Sequence, residues 1–377
     1  MLEKLKKTNF KLILLGIFFV FVFLYDFDNG ATDYFFLIIS SVLFIGAFLL
    51  KKEIAEYLFI VIFVSYFFLF FYALFHTPFN GGHDHNIFEE DIFNGYKLKV
   101  NLNTVFDDNI RSGQIVTNSE GFRDDEFIKS GKNTLTLLGD SMVFGLKVDQ
   151  VNNIDKQIEN ICEVDAYNFG VGGYGIPDVY RVFANTDHDT SHVIYFFYMN
   201  DLREDNLYTS ENILVYDGYL ITKTHSGLKE RSEVDIESEI NSIQNKKYIY
   251  SPLKLRYFFM LFKNYLINKN VYTAPEEMLS GYSNENTELA VEWTIKLSEI
   301  VKKRKAKFIV FVLPSLKSVM SRKYLDEVNN YMKLVKQENI EVIDIFDDMT
   351  VEDYISYDGH LSENGMQKIA IKLCNFI

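Results

Sequence analysis

The chain has 377 residues, with 52 acidic against 38 basic side chains and a net charge of -14. That balance argues against a nucleic-acid partner, because a duplex or a single strand needs a basic groove. Two cysteines, Cys162 and Cys374, are too few for a disulfide scaffold, and neither stands in a CxxC or CxxH spacing.

The apolar excess sits in residues 1–76. Three runs there are free of charge: Leu12 to Tyr25, Tyr34 to Leu50 and Tyr57 to Phe75. A span needs about 20 mostly apolar residues and roughly 17 at the least, so the second and third runs qualify and the first is marginal. The first could instead be a signal-peptide core, but no small-residue cleavage site follows it. Lys4, Lys6, Lys7 and Lys11 precede the first run, Asp26, Asp28 and Asp33 follow it, and Lys51 and Lys52 separate the second from the third. Lysines mark the cytoplasmic side, so the expectation is three transmembrane helices with everything after Phe75 outside the membrane. A buried hydrophobic hairpin is the alternative.

Residues 77–132 read as a polar, turn-rich neck, with "GYKLKVNLNTV" as a strand. His83 and His85 stand two apart, a spacing that fits a solvated loop better than a metal site without a third ligand. From residue 133 short strands alternate with helical patterns. "TLTLL", "VDAYNFG", "HVIYFFY", "KFIVFVLP" and "EVIDIF" are the strands, and amphipathic stretches lie between them. Such alternation predicts a parallel sheet covered by helices, with the functional edge at the carboxyl ends of the strands. Residues 202–285 interrupt it with a polar insertion whose run "RYFFMLF" is too short to span a membrane. Cys374 shares an apolar helical face with Met366, Ile369 and Leu373 and reads as a core residue; pairing with Cys162 in an oxidising compartment stays open.

Four segments fall at predicted strand ends: "GDSMVFG" (139–145), "NFGVGGYG" (168–175), "YMND" (198–201) and "YDGHLSENG" (357–365). Together they supply what acyl transfer requires. A serine hydroxyl is a weak nucleophile until a base takes its proton, and a histidine oriented by a carboxylate is the usual base. Ser141, His360 and Asp358 meet that description. The oxyanion needs fixed donors, which a glycine N–H and an asparagine side chain provide beside the serine's own N–H. Each residue also has a structural reading. Ser141 would cap a helix, the glycines would permit a tight loop, Asn200 and Asp201 would turn the chain, and Ser362 caps the last helix.

These four blocks, in this order, resemble the SGNH (GDSL-type) hydrolases over residues 134–377. The resemblance implies a three-layer α/β/α sandwich, Ser141 as nucleophile, Gly173 and Asn200 as oxyanion donors, His360 as base, and no metal or organic cofactor. "TNSEGFRDDEF" looks like the lead-in of membrane-anchored bacterial members. Two departures stand out: Asp358 is two residues before His360, where the family usually places it three before, and Tyr198 replaces a common glycine.

The expected protein is a bacterial inner-membrane serine esterase or O-acyltransferase with its catalytic domain outside the membrane. Its substrate class would be O-acetyl groups of cell-envelope or exported carbohydrate, or another small acyl ester. A transferase would need a separate membrane acyl-donor protein. The alternatives are a non-catalytic glycan-binding module and a lipase or phospholipase.

Overall fold

The computed structural model describes residues 86–107, 112–128, 133–202, 213–223, 232–245, 284–355 and 358–377. The three apolar runs, His83 and His85, and "RYFFMLF" lie outside the described residues. Among the described residues no helix is long and apolar enough to cross a membrane. Chain contacts define one unit of Met1–Phe79 and Ile243–Leu266 and another of Asn80–Ser242 and Ile267–Ile377. The described residues, apart from the last three of one helix, belong to the second.

That unit opens with two antiparallel hairpins, β1 (Phe88–Asp91) with β2 (Gly95–Leu98) and β3 (Asn103–Asp107) with β4 (Ser112–Val116). "GYKLKVNLNTV" is therefore two strands, broken at Asn101, whose φ of 51° turns the chain. Nor is this stretch a detached neck. Tyr96, Leu98, Phe106 and Ile115 are at most 1% exposed and join the main core, because alternate residues of the short strands face it.

The central sheet holds β5 (Thr134–Leu138), β6 (Asp165–Asn168), β7 (His192–Phe197), β10 (Lys307–Val312) and β11 (Glu341–Asp344). Its order is β11, β10, β7, β5, β6, and every pairing is parallel. A third hairpin, β8 (Ile213–Tyr216) with β9 (Tyr219–Thr222), and a helix, α4 (Glu233–Asn245), are the described parts of the insertion.

Between the strands run α1 (Ser141–Phe144), α2 (Ile154–Cys162), α3 (Ile176–Asn185), α5 (Asn284–Lys303), α6 (Leu316–Ser321) and α7 (Asp326–Gln337), and α8 (Glu363–Leu373) follows the last strand. The period-2 alternation of the strands separates two apolar layers. Val193, Tyr195 and Phe197 of β7 pack with Phe183 of α3, Leu297 of α5 and Tyr331 of α7. Ile194 and Phe196 point the other way, toward Ile158 of α2, Val319 of α6 and Ile369 of α8. The result is the expected three-layer α/β/α sandwich. Because both faces are covered, the polar positions of "TLTLL" are also interior: all five residues of β5 are buried, Thr134 and Thr136 included. Each fully buried Leu, Ile or Phe contributes about 1.5–3 kcal/mol.

Cys162, at the end of α2, and Cys374, the C-cap of α8, form a disulfide with a Cα separation of 5.4 Å. Cys374 is half-buried at the cap, so the core-residue expectation gives way to the pairing.

Candidate active site

The strand order places β6 on one side of β5 and β7 on the other. The chain thus reverses its direction of travel across the sheet at the boundary of β5 and β7, and the loops leaving their carboxyl ends diverge into a crevice. Ser141 follows β5, Asn200 follows β7, and the glycine loop follows β6.

Gly139 ends β5 where a Cβ would lie 2.6 Å from Val143 Cγ2, so only glycine lets α1 turn back so tightly. Asp140, not Ser141, caps that helix: its carboxylate accepts from Met142 N–H at 2.9 Å. The capping alternative for Ser141 is thereby taken by its neighbour. The Ser141 hydroxyl faces His360, with Oγ 2.8 Å from Nε2.

His360 enters from the far end of the chain. Its carbonyl accepts from Ile355 N–H at 2.8 Å, and Asp358 and Gly359 N–H both donate to the Ile355 carbonyl. This closed loop, with Gly359 at φ 88°, brings two side chains only two residues apart onto one another. Nδ1 of His360 is 2.6 Å from Asp358 Oδ1. The unusual spacing therefore does not prevent Asp358 from reaching the histidine. On burial alone Asp358 would titrate higher, but the His360 charge and hydrogen bond and the Lys147 ion pair hold it well below the usual carboxylate range. Burial lowers the His360 pKa, and the Asp358 carboxylate, helped by Asp140, more than offsets this, so His360 titrates above its ordinary 6.5. With Asp358 ionised, Nδ1 carries the proton and donates to it. The Nε2 lone pair is left for the serine hydroxyl.

The glycine loop is fixed at several points. Asn168, buried at the end of β6, donates to the Val143 carbonyl at 2.9 Å and to Asp155 Oδ1 at 3.0 Å, and accepts from Gly170 N–H at 2.9 Å. A Cβ on Gly170 would be 2.4 Å from Phe144 N, so this glycine is required by the close approach of two backbones. A Cβ on Gly172 would stand 3.9 Å from Ser141 Cβ, which puts the next turn of the loop beside Ser141. The Gly172 carbonyl accepts from the Tyr96 hydroxyl at 2.9 Å. In a trans peptide C=O and N–H point opposite ways, and no cis bond occurs among the described residues. Tyr96 therefore aims the Gly173 N–H away from itself, and Gly173 has φ 85°.

Asn200 lies in the short 3-10 turn Met199–Leu202, and its Nδ2 donates to Asp140 Oδ2 at 2.8 Å. An amide nitrogen has two protons, so one remains to donate elsewhere. Burial raises the Asp140 pKa, opposed by the hydrogen bonds from Met142 and Asn200. Asp201 is the turn former: it accepts from Tyr198 N–H at 2.9 Å and Tyr195 OH at 2.8 Å. Tyr198 is half-buried against the apolar layer that includes Tyr354.

Ser141, His360, Asp358 and Asn200 thus converge, with the Gly172–Gly173 turn beside the serine. Sequence reasoning missed Asp140 as the bridge to Asn200, Tyr96 behind the glycine loop, Lys147 beside Asp358, and Arg123. Arg123, within the lead-in "TNSEGFRDDEF", is fully buried. It donates to the carbonyls of Phe144, Gly145, Val148 and Gln114 and to Gln150 Oε1, at 2.6–3.0 Å. Burial lowers its pKa to about 10, so it stays charged at neutral pH and ties down the loop behind Ser141. Among the described residues no group of three or more His, Cys, Asp or Glu could hold a metal ion.

The five-stranded parallel sheet and the position of each block fit the SGNH-type fold that the motifs resemble. No family model and no curated protein matches the sequence. Similar solved structures include one described as a lipolytic protein of the G-D-S-L family from Desulfitobacterium hafniense, at 12% identity and TM-score 0.35, covering 65% of this chain and 99% of that one. An acetyl xylan esterase from Butyrivibrio proteoclasticus is 12% identical with TM-score 0.33, over 69% of this chain and 66% of its own. A GDSL-like lipase from Bacteroides thetaiotaomicron is 12% identical with TM-score 0.34, over 65% and 88%.

Proposed function

We propose that this chain is a serine acyl-ester hydrolase of SGNH type that works through an acyl-Ser141 intermediate. The observation that carries the reading is the continuous relay Ser141 Oγ, His360 Nε2, His360 Nδ1, Asp358 Oδ1, with contacts of 2.8 and 2.6 Å. His360 takes the hydroxyl proton as Oγ attacks the acyl carbonyl, and returns it to the departing alcohol. Water, activated by the same nitrogen, then releases the acid. The Ser141 and Gly173 N–H groups and the second Asn200 amide proton hold the oxyanion, each donor supplying about 2.7–4 kcal/mol.

The acyl group is acetyl on a cell-envelope or exported carbohydrate, a reading supported by the motif resemblance. The domain lies outside the cytoplasm behind a three-helix anchor. The Cys162–Cys374 disulfide supports an oxidising compartment, and the three uncharged runs of residues 1–76 support the anchor. A sugar hydroxyl in place of water would make the same acyl-enzyme an O-acyltransferase fed by a separate membrane acyl-donor protein.

The test uses the full chain with an activated acetyl ester, an acetylated oligosaccharide and a fluorophosphonate probe, beside Ser141→Ala and His360→Ala. The expected result is acetate release and covalent labelling of Ser141, both lost in S141A. Acetyl transfer to added oligosaccharide would identify the transferase, and preference for long acyl chains a lipase. No release and no labelling would leave the non-catalytic glycan-binding module.

A further inference from the structure

Lys147 lies two residues beyond Gly145, the C-cap of α1, and is 8% exposed. Lysines are almost never buried this far without a partner. Its ammonium stands 2.8 Å from Asp358 Oδ2, on the opposite side of the carboxylate from His360, and the two side chains are 9% and 13% exposed. The backbone of Lys147 is left-handed, with φ 66°, a conformation that costs a non-glycine residue about 1–2 kcal/mol. Arg123 holds it there by donating to the carbonyls of Gly145 and Val148 on either side. A straight-chain cation, in a strained and clamped backbone, is thus aimed at Asp358 Oδ2, the carboxylate oxygen that does not face His360.

We propose that Lys147 is a positioning residue of the triad: it fixes the Asp358 carboxylate against His360 and withholds part of its charge from the imidazole. The proposal rests on the serine-hydrolase reading and deepens it. It also gives a physical reason why an aspartate at the shorter spacing works: Oδ2 is anchored from the nucleophile's own loop rather than by its local chain. The charged groups facing His360 are Asp358 from its own loop, Asp140 from the cap of α1, and Lys147 from the loop after α1. Two carboxylates favour the imidazolium and one ammonium opposes it. Removing the ammonium leaves both carboxylates unopposed, so the imidazole holds its proton to higher pH and is a free base over a narrower range.

The experiment compares the full chain with K147M and K147R. Two readouts are taken: the pH profile of kcat/KM on an activated acetyl ester, and the His360 titration by NMR with selectively 15N-labelled histidine. The chain has seven histidines, and His360 is assigned from the signal absent in H360Q. K147M is expected to move the acid limb and the imidazole titration together to higher pH, with roughly a three- to tenfold loss of kcat/KM on the acid side and a smaller loss, from the unanchored carboxylate, that persists at alkaline pH. K147R is expected to restore both. An unmoved titration in K147M, or one moved to lower pH, would overturn the proposal. If K147M does not fold, the decision passes to K147R, whose retained charge requires a His360 titration within error of wild type; a displaced one overturns the proposal. The titration needs no turnover. Wild-type protein without esterase activity would therefore sink the hydrolase reading alone, while the NMR result still decides on Lys147.

Discussion

Asn200 and Asp140, 60 positions apart, are joined by a single hydrogen bond of 2.8 Å from the amide to the buried carboxylate. Asp140 is at once the cap of α1, which begins at Ser141, and the acceptor that orients the Asn200 amide, so on the proposed mechanism the nucleophile and the oxyanion donor share one side chain. Asn200→Ala should lower kcat about 10²–10³-fold with little change in KM, as expected for a donor used only in the transition state. Steady-state kinetics check this, and an unchanged kcat would remove Asn200 from the oxyanion site.

Asp358→Asn keeps the shape of the side chain but allows it to donate to Nδ1, which favours the wrong imidazole tautomer. A fall in kcat of about 10⁴-fold is expected. The buried Lys147 ammonium would also lose its countercharge, so thermal unfolding should move down in the same variant. A loss of activity with an unmoved Tm would show that the ion pair contributes nothing to stability.

The pH dependence follows from the direction of the His360 shift. Only neutral imidazole accepts the serine proton, and its pKa lies above 6.5 because the Asp358 and Asp140 carboxylates together outweigh burial. kcat/KM should therefore fall with decreasing pH through a midpoint above 6.5. Asp358, held low, stays ionised throughout this window. A midpoint below 6.5 in the wild-type protein would contradict the arrangement.

Gly170→Ala would force a methyl to within 2.4 Å of the Phe144 backbone nitrogen, where no flexible side chain can yield. A destabilisation of about 1–3 kcal/mol or more is expected, together with lost activity, because the glycine loop and α1 would separate. Denaturant titration of the variant measures it.

Replacing Cys162 and Cys374 by serine removes a link between positions 212 apart in the sequence. A loss of about 2–5 kcal/mol is expected. Melting with and without a thiol reductant should reproduce the effect in the wild-type chain and leave the double variant unmoved.

The layers of the sandwich were legible because strand and helix periods differ, and β5, β6, β7, β10 and β11 all lie in the stretches read as strands. The serine, histidine and asparagine were legible because their short motifs fall at strand ends. Lys147, Tyr96 and Asp140 were not, for physical reasons. A lysine two residues past a glycine gives no sign of burial, since its partner is more than 200 positions away. Tyr96 acts through its hydroxyl on a backbone carbonyl, a contact with no sequence pattern. The hairpins of residues 88–116 looked like a neck because their apolar positions are too few and too short to signal a core contribution.

Ser141 and His360, the proposed nucleophile and base, are 219 residues apart. A ribosome adding about 5–20 residues per second would deliver His360 on the order of 10–40 s after Ser141. Throughout that interval the emerging chain carries only an ordinary serine. On the proposed mechanism a chain cut short before residue 360 lacks its base, and Ser141 in it is left with the weak nucleophilicity of a free hydroxyl.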